Sequence, residues 1–438
     1  MPEVRPFRAL RYESEVIGDL AAVVSPPYDV ISPTEAAALF ARHPKNVVRL
    51  DLPVGEQGDG PDDRYRRAAR TFAAWRSDGT FHKDPRPSLY VYEQAYRVPG
   101  SNVEHVQRGF FGRLRLEPLE AGSGVLAHER TLSAPREDRY KLLRATGVNT
   151  SPVVGLYADP GGTTAAILEA ATRGQPIADI TDADGVHHRM WSLAAEGVEA
   201  AQVEALVAAA GAGPITIADG HHRYETALRY RDERRMSRSC EEDPAFDYIL
   251  MLFLDVAGPL TILATHRVVG GLGEAGLAEL VAGLGSLFDV QPAERAELIA
   301  AYGTPPAGTG GRGRFGLWTR AGGSILTARR PAFEAFLPAA GSALRRLDVT
   351  LLQVALERLA GIDQAALAAG RIAYTKSAEE ALDWVDDATN GADLAVLLEP
   401  TPVTSIVEVA REGDVMPEKS TYFYPKPLTG LVLNPHEW

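Results

Sequence analysis

An acid, a glycine, two histidines and an arginine follow one another in residues 219–223, where an apolar run gives way to a helical pattern. The run ITIAD predicts a strand, and the residues from His221 predict a helix whose first turn has free N–H groups. The start of a helix attracts anions, and phosphate is the most common of them. Gly220 allows a close approach of the backbone, and Arg223 can bind two phosphate oxygens at once. The pattern favours phosphate chemistry.

The polar residues of this motif suit two kinds of chemistry. Asp219 can hold Mg²⁺ against bound phosphates or accept a proton, and His221, His222 and Arg223 supply hydrogen-bond donors. The same acid and histidines are also ligands for a transition metal, which would suit a metal-dependent phosphoesterase. The structural alternative is an N-cap at Asp219 followed by surface histidines, and the added arginine favours phosphate chemistry over it.

Three other strings in the sequence look like sites but are weaker signals. A near copy of the motif, ADGVHHRMW, begins at Ala183, but its extra Val186 changes the spacing and its alternation predicts a strand. Two G-x-G-x-x-G strings occur at residues 271–276 and 311–316, and such strings arise easily in a chain with 41 glycines. The first has the better context, because it lies between a predicted strand and a predicted helix.

A second candidate group lies 90 residues before the motif. His128 and Glu129 stand in a predicted loop, ahead of a helical pattern that runs from about residue 136 to residue 145. A glutamate in such a loop can act as a general base. Composition alone favours a surface acid, so the residue pattern leaves the role of Glu129 open.

The segment MPEKSTYFYPK, residues 416–426, concentrates aromatic and hydrogen-bonding side chains between prolines. Prolines reduce the entropy lost on docking, and the aromatic rings supply apolar area. Lys419 and Lys426 are two of only six lysines in the chain. We predict that this tail packs against the core and that Lys419 brings positive charge to a bound phosphate. In the alternative, the rings fill an apolar seam and the lysines face solvent.

Composition narrows the functional classes. The chain has 438 residues and a net charge of −13, which argues against a general nucleic-acid binder, since that function needs a basic face. Its single cysteine excludes an internal disulfide and a cysteine-rich metal site. The first residues carry charges where a signal peptide needs an apolar stretch, and no apolar run has the length of a membrane span. We expect a cytoplasmic protein without a membrane partner, and the oligomeric state stays open.

Strand and helix patterns along the chain predict a mixed α/β protein. The run YILMLFL predicts a buried strand. Alternating patterns predict strands at residues 88–98 and 108–118, and helical periodicity marks residues 62–79, 348–360 and 377–386.

Several blocks of the sequence, in order, resemble those of one widespread prokaryotic family long catalogued as a domain of unknown function. They are SPPYDVIS, NVVRLDLP, HERTLSAPREDR, NTSPVVGLY, ITIADGHHRYETAL, LTILATHRVV and MPEKSTYFYPKPLTGLV. The blocks cover essentially the whole chain, which is therefore identified as a member of that family. The strand–DGHHR–helix unit also resembles the phosphate-binding element of the ParB/sulfiredoxin superfamily, whose free serine kinases carry the same string.

The resemblance implies an α+β fold built around a ParB/sulfiredoxin-like catalytic core at residues 126–235. A long segment at about 158–213 would be an insertion in that core. An N-terminal α/β segment, 1–125, and a C-terminal α/β segment with a docked tail, 236–438, would embed it.

The resemblance also implies an activity and residue roles. Some members of the family are ATP-dependent L-serine kinases, which implies phosphoryl transfer from ATP, or ADP, to the hydroxyl of free L-serine with Mg²⁺. Because those kinases place a His-Glu pair ahead of the motif, Glu129 would take the hydroxyl proton. Asp219 would hold Mg²⁺ or assist as base. His221, His222 and Arg223 would bind the phosphates and neutralise the transferring group.

Two other functions remain as alternatives. One is a ParB-like regulator that binds a nucleotide without transferring phosphate, and the other is the metal-dependent phosphoesterase. Sulfiredoxins need a cysteine where this chain has His221. ParB proteins follow the motif with a DNA-reading helical domain, whereas here an acidic EEDPAFD and an apolar strand follow.

Overall fold

The computed structural model describes residues 1–120, 122–129, 133–237, 242–303, 311–363, 366 and 369–438. In this part of the chain the strands are β1 (Val4–Arg5), β2 (Leu10–Tyr12), β3 (Phe81–Lys83), β4 (Ser88–Arg97), β5 (Glu104–Arg115), β6 (Val125–Leu126), β7 (Val148–Asn149), β8 (Val153–Tyr157), β9 (Ala178–Thr181), β10 (His187–Ala194), β11 (Ile215–Asp219), β12 (Tyr248–Asp255), β13 (Thr261–Ile262), β14 (His266–Gly270), β15 (Phe288–Ala293), β16 (Arg314–Thr319), β17 (Gly322–Ala328), β18 (Ile372–Thr375), β19 (Ala392–Leu397), β20 (Phe423–Tyr424) and β21 (Asn434–Pro435). The α-helices are α1 (Ser14–Ile17), α2 (Pro33–Arg42), α3 (Val48–Asp51), α4 (Asp63–Ser77), α5 (Ser133–Thr146), α6 (Thr163–Ala171), α7 (Ala200–Gly211), α8 (His221–Ser237), α9 (Gly273–Gly283), α10 (Arg295–Tyr302), α11 (Arg330–Phe333), α12 (Ser342–Arg346), α13 (Asp348–Ala360), α14 (Ala378–Asp386) and α15 (Val403–Arg411). The mixed α/β class is confirmed, and β4, β5, α4, α13 and α14 lie where the sequence patterns predict them.

Within the described residues, nine strands form the main sheet, in the order β6-β11-β8-β12-β5-β4-β10-β9, with β1 also paired to β5. The pairs β11–β6 and β12–β8 are parallel, and the others are antiparallel. Strands from all three predicted segments of the chain share this sheet, and residues 158–213 supply β9 and β10 at one edge. The ParB/sulfiredoxin-like character of the central segment and the domain boundaries stay predictions.

Strand β12 shows how the main sheet is covered on both faces. The run YILMLFL is buried along its whole length, as predicted. Because side chains alternate along a strand, Ile249, Met251 and Phe253 enter one core together with residues of α5, α6, α7 and α8. Leu250, Leu252 and Leu254 enter another core, which continues into the second sheet. Helix α8, which begins at His221, is therefore fixed against the sheet by an apolar face that includes Tyr224 and Ala227.

A second, six-stranded sheet in the described part of the chain is antiparallel throughout, in the order β15-β17-β16-β19-β14-β18. The glycine string at residues 271–276 lies between β14 and α9. Since β14 pairs antiparallel with both neighbours, this string is not the parallel strand–turn–helix unit that binds dinucleotides. Among the described residues, none of the helices combines the length and the apolarity that crossing a bilayer requires.

The C-terminal tail packs against the core. Strand β20 pairs with β13, and β21 pairs with β7. Between them, Leu431, Val432 and Leu433 are buried. The buried Arg113 of the main sheet donates hydrogen bonds to the carbonyl oxygens of Pro435 (3.0 Å) and of Glu437 (3.1 Å). The segment that carries Lys419 and Lys426 is thus held at β20, and the residues that follow it are held at β21.

Candidate functional site

The turn between β11 and α8 holds the first part of the site. Gly220 has a φ of 90°, and a Cβ there would lie 3.1 Å from the guanidinium carbon of Arg223. Glycine therefore permits both the backbone conformation and the return of that side chain over the turn. The Arg223 Nη2 donates to Asp219 Oδ2 over 2.6 Å, and its Nη1 donates to the carbonyl oxygen of Pro152. Arg223 thus braces Asp219, a function that its residue type alone did not indicate.

The predicted site residues converge on one cavity of about 490 Å³. Its walls include Gly220 and the polar side chains that the sequence singled out, which are Glu129, Asp219, His221, His222, Arg223 and Lys419. The sequence did not indicate three other wall residues, namely Tyr28, Asp29 and Lys376, and it singled out Tyr422 and Lys426 only as parts of the tail. The roles of all these residues stay predictions, but the structure brings them together from distant parts of the chain.

The hydrogen bonds of His128, which lies behind the cavity wall, define its protonation state. The ring of His128 contacts the carbonyl oxygen of Ile217 through Nδ1 (2.6 Å) and the hydroxyl of Thr421 through Nε2 (3.1 Å). A carbonyl oxygen only accepts, so Nδ1 carries the hydrogen and Nε2 accepts from the hydroxyl. Burial lowers the pKa of His128 to about 4, so the ring is neutral at pH 7. The hydrogen bonds of His128 thereby join the loop before Glu129 to strand β11 and to the tail.

His221 and His222 are predicted phosphate ligands, and their surroundings determine the protonation state in which they would bind phosphate. Nε2 of His221 accepts the backbone N–H of His128 over 3.3 Å, which leaves the hydrogen of the neutral ring on Nδ1. Burial, and then the neighbouring His128, hold the pKa of His221 well below its usual range. Burial also lowers the pKa of His222. At neutral pH both rings would therefore act as hydrogen-bond donors without a positive charge.

Glu129 is held by the tail. Its Oε1 accepts the backbone N–H of Lys419 over 3.0 Å, and its backbone pairs with Met416. Lys419 has a φ of 56°, and its carbonyl oxygen accepts from the buried Arg267 at 3.3 Å. Burial raises the pKa of Glu129 to about 7, and the hydrogen bond and charge of Lys419 only partly oppose that effect. The carboxylate is therefore poised to exchange a proton near neutral pH.

Asp219 is ionised and sits between two cations. Its Oδ1 accepts from the Lys426 ammonium, and its Oδ2 accepts from Arg223. Burial alone would raise the pKa of Asp219, but the charges of Lys426 and Arg223 outweigh it and hold the pKa well below its usual range. The Lys426 Nζ also lies 4.7 Å from the ring centre of Tyr422, and the Lys376 Nζ lies 4.4 Å from the same ring.

The near copy of the motif has the structural role that its spacing predicts. His187 and His188 lie on strand β10, between β4 and the edge strand β9 of the main sheet. The buried His188 contacts the hydroxyl of Tyr92 (2.6 Å) and a carboxylate oxygen of Asp182 (3.0 Å). These contacts satisfy both nitrogens of the ring.

The donor groups of the cavity limit the metals that it can hold. Among the described residues, no three side chains of His, Cys, Asp or Glu are grouped so that they could bind a metal ion. Asp219, His221 and His222 therefore do not form the ligand set that a phosphoesterase of the metal-dependent kind needs. Mg²⁺ has a different requirement, because it binds one or two carboxylates together with phosphate oxygens of a substrate. Asp219 is the residue that would hold it.

Comparison with known proteins places the chain in a family. A family model described as "Protein of unknown function (DUF1015)" matches residues 4–350. The chain belongs to this family. The membership expected from the sequence blocks is thus confirmed, while Lys376, Lys419 and Lys426 lie beyond the matched range. No curated protein matches the chain.

Solved structures with a similar arrangement include three proteins. One is a conserved hypothetical protein from Pyrococcus furiosus, with 14% identity and a TM-score of 0.34, covering 70% of this chain and 93% of that chain. Another is a free serine kinase in complex with AMP, with 14% identity and a TM-score of 0.35, covering 68% and 83%. The third is SbnI with a C-terminal truncation from Staphylococcus aureus, with 10% identity and a TM-score of 0.36, covering 70% and 83%.

Proposed function

We propose that the chain is a small-molecule kinase that transfers a phosphoryl group from ATP, or from ADP, to the hydroxyl of free L-serine. One observation carries the proposal. Glu129 and the motif at residues 219–223, 90 residues apart in sequence, face the same cavity. That cavity combines a proton acceptor with a cationic environment for phosphate, and phosphoryl transfer to an alcohol needs both. The choice of serine comes from the family resemblance.

In the proposed phosphoryl transfer, the carboxylates of Glu129 and Asp219 have different roles. The hydroxyl oxygen of the acceptor attacks the terminal phosphorus, and the bond from that phosphorus to the bridging oxygen of the nucleotide breaks. The hydroxyl proton passes to Glu129, whose pKa of about 7 suits a base at neutral pH. Asp219, which remains ionised, keeps Arg223 in place.

Positive charge in the cavity would stabilise the transferring group. The lysines at its wall and the N-terminus of α8 supply it, and neutral His221 and His222 add hydrogen-bond donors. Mg²⁺, held by Asp219 and phosphate oxygens, would supply further charge neutralisation. A regulator that only binds nucleotide would not require the raised pKa of Glu129 beside its phosphate site, which favours the kinase over the ParB-like alternative.

A direct test is to incubate the protein with Mg-ATP and a pool of amino acids and polyols, and to identify the products by mass. We expect one phosphorylated product, O-phosphoserine, together with an equal amount of ADP. Tight nucleotide binding without any phosphorylated product would instead support the regulator. Release of inorganic phosphate from phosphate esters without an acceptor would support the phosphoesterase.

The rate of phosphoryl transfer should increase with pH as Glu129 loses its proton. A base must be deprotonated to accept the hydroxyl proton, so kcat/KM should rise about tenfold per pH unit below pH 7 and level off above it. Initial rates between pH 5.5 and pH 9 measure this profile. A rate that is flat across pH 6–8, with chemistry shown to limit the rate, contradicts the assignment of Glu129 as base.

Lys419 should contribute to nucleotide affinity. Its exposed side chain lines the cavity, so Lys419→Ala should weaken ATP binding by about tenfold, as expected for one charge-assisted contact to phosphate. The melting temperature should change little because no buried packing is lost. Isothermal calorimetry measures the affinity, and Lys141→Ala is the matched control, since Lys141 pairs with Asp62 away from the cavity. An unchanged affinity would leave the tail with a structural role only.

A further inference from the structure

The lysines of this chain are distributed unevenly. Of six in the sequence, three line the one cavity, although the chain as a whole is acidic. Each of the other three forms an ion pair with a carboxylate, namely Lys45 with Asp78, Lys83 with Glu437 and Lys141 with Asp62.

The cavity lysines differ from the others in their partners. Among the described residues, Lys376 and Lys419 form no ion pair with a carboxylate, and Lys426 pairs with Asp219 alone. Burial lowers the pKa of Lys376, and the charges of Lys419 and Lys426 lower it further. The ammonium group of Lys376 is therefore close enough to the other two for their positive charges to repel it. An anion that entered between them would relieve that repulsion.

The aromatic ring of Tyr422 sets an upper limit on the distance between two of these charges. The ammonium groups of Lys376 and Lys426 lie 4.4 Å and 4.7 Å from the centre of that ring. Their separation cannot exceed the sum of these distances. Both lysines also line the same cavity, so a single chain of two or three phosphates bound there can contact both, whereas one phosphate group offers fewer charges to share.

We propose that Lys376, Lys419 and Lys426 form a clamp for the polyphosphate chain of a nucleotide, and that Asp219 holds Lys426 in the empty site as an internal substitute for phosphate. The proposal rests on the proposed nucleotide-dependent function and extends it, because it assigns the residues that distinguish a di- or triphosphate from a monophosphate.

In this proposal, Lys426 exchanges Asp219 for a phosphate when the ligand binds. It follows that removing a side-chain charge from the site can increase the affinity for phosphate. Lys426 and Asp219 side chains are each 11% exposed, so their contact is shielded from solvent. For Lys426 to contact a phosphate, its ammonium must leave Asp219 Oδ1. In addition, the negative charge of Asp219 repels the incoming anion. Removal of this charge, without loss of the side chain's shape, should therefore strengthen the binding of a metal-free polyphosphate.

The first experiment tests the clamp. The dissociation constants of ATP and AMP are measured by calorimetry for the wild type, Lys376→Ala and Lys141→Ala, in the presence of a chelator. We expect Lys376→Ala to weaken ATP binding by about tenfold and AMP binding by less than about threefold, with Lys141→Ala unchanged. Equal weakening of ATP and AMP, or no weakening of either, would overturn the clamp.

The second experiment tests the exchange. Asp219→Asn should bind inorganic tripolyphosphate and metal-free ATP several-fold more tightly than the wild type, whereas Asp62→Asn, which removes the carboxylate partner of Lys141, should not. Unchanged or weaker binding by a variant that retains a cooperative thermal transition would overturn the exchange. If Asp219→Asn does not fold, the salt dependence of tripolyphosphate binding decides the matter in Lys426→Ala. The exchange predicts a shallower salt dependence than in the wild type, and an equal one overturns it.

The two proposals can fail separately. A wild-type protein that binds tripolyphosphate as described but phosphorylates no acceptor would disprove the kinase and leave the clamp intact. A wild-type protein that phosphorylates serine while Lys376→Ala binds ATP normally would disprove the clamp and leave the kinase intact.

Discussion

Glu129→Gln should reduce kcat by a factor of about 10²–10⁴, the usual contribution of a general base, while the affinity for ATP stays within about twofold. The amide of glutamine has the shape of the carboxylate, and its oxygen can still accept the backbone N–H of Lys419. It cannot take up the hydroxyl proton of the acceptor. Steady-state kinetics with serine give kcat, and calorimetry gives the dissociation constant.

The control for this substitution is Glu137→Gln, which changes the same charge on the exposed face of α5, where Glu137 pairs with Arg229. Its kcat should match the wild type. A fall of less than about threefold in Glu129→Gln would exclude Glu129 as the base. A large loss of ATP affinity in the same variant would mean that Glu129 serves the structure of the nucleotide site instead.

The same substitution should also stabilise the protein above pH 7. Burial raises the folded-state pKa of Glu129 to about 7 from its ordinary value of 4.5, so between these pH values the native state binds more protons than the unfolded state. The contribution of this group to stability therefore falls as pH rises through that window and stays low above it. Glutamine removes the effect. Thermal melts at pH 5 and pH 8 should show a higher melting temperature for the variant than for the wild type only at pH 8.

Arg223→Met should lower the free energy of unfolding by about 3 kcal/mol, near the lower end of the 3–5 kcal/mol range for breaking a buried ion pair. Arg223 and Asp219 side chains are only 9% and 11% exposed. Methionine retains the aliphatic stem but leaves Asp219 with a single cation, Lys426, and leaves the carbonyl of Pro152 without this donor. Because Lys426 still neutralises Asp219 in this variant, we expect a loss at the lower end of that range.

Urea unfolding followed by tryptophan fluorescence measures this loss. The matched control is Arg229→Met on the same helix, whose ion pair with Glu137 is exposed and should be worth less than about 1 kcal/mol. If Arg223→Met instead unfolds like the wild type but binds ATP much more weakly, Arg223 is a phosphate ligand, as its residue type first indicates, and its bracing role is wrong.

The motif itself was predictable because its signals are local. An apolar run, a glycine and a helical pattern adjoin one another at residues 215–230, and each predicts its own element without reference to the rest of the chain. The role of Arg223 was less visible. Its four-residue spacing from Asp219 would have suggested an ion pair, but only the contacts of its guanidinium with Gly220 and Asp219 show that the side chain folds back over the turn.

The sequence did not indicate that Asp29 and Lys376 line the cavity. Asp29 follows a proline pair, and Lys376 follows a strand of the second sheet. Their convergence depends on the way in which β11 and the second sheet are joined by the docked tail, and no periodic pattern encodes that contact. The rarity of lysine was the one available signal, and it identified two of the three cavity lysines.

The position of the tail in the chain has a consequence for biosynthesis. Glu129 and Asp219 leave the ribosome long before residues 416–426, which supply the backbone donor of Glu129 and the Lys426 partner of Asp219. A nascent chain therefore carries both acids without those partners while some 200 further residues are translated after Asp219. A premature stop codon between Arg223 and Lys419 would yield a polypeptide with an intact DGHHR motif and an incomplete cavity.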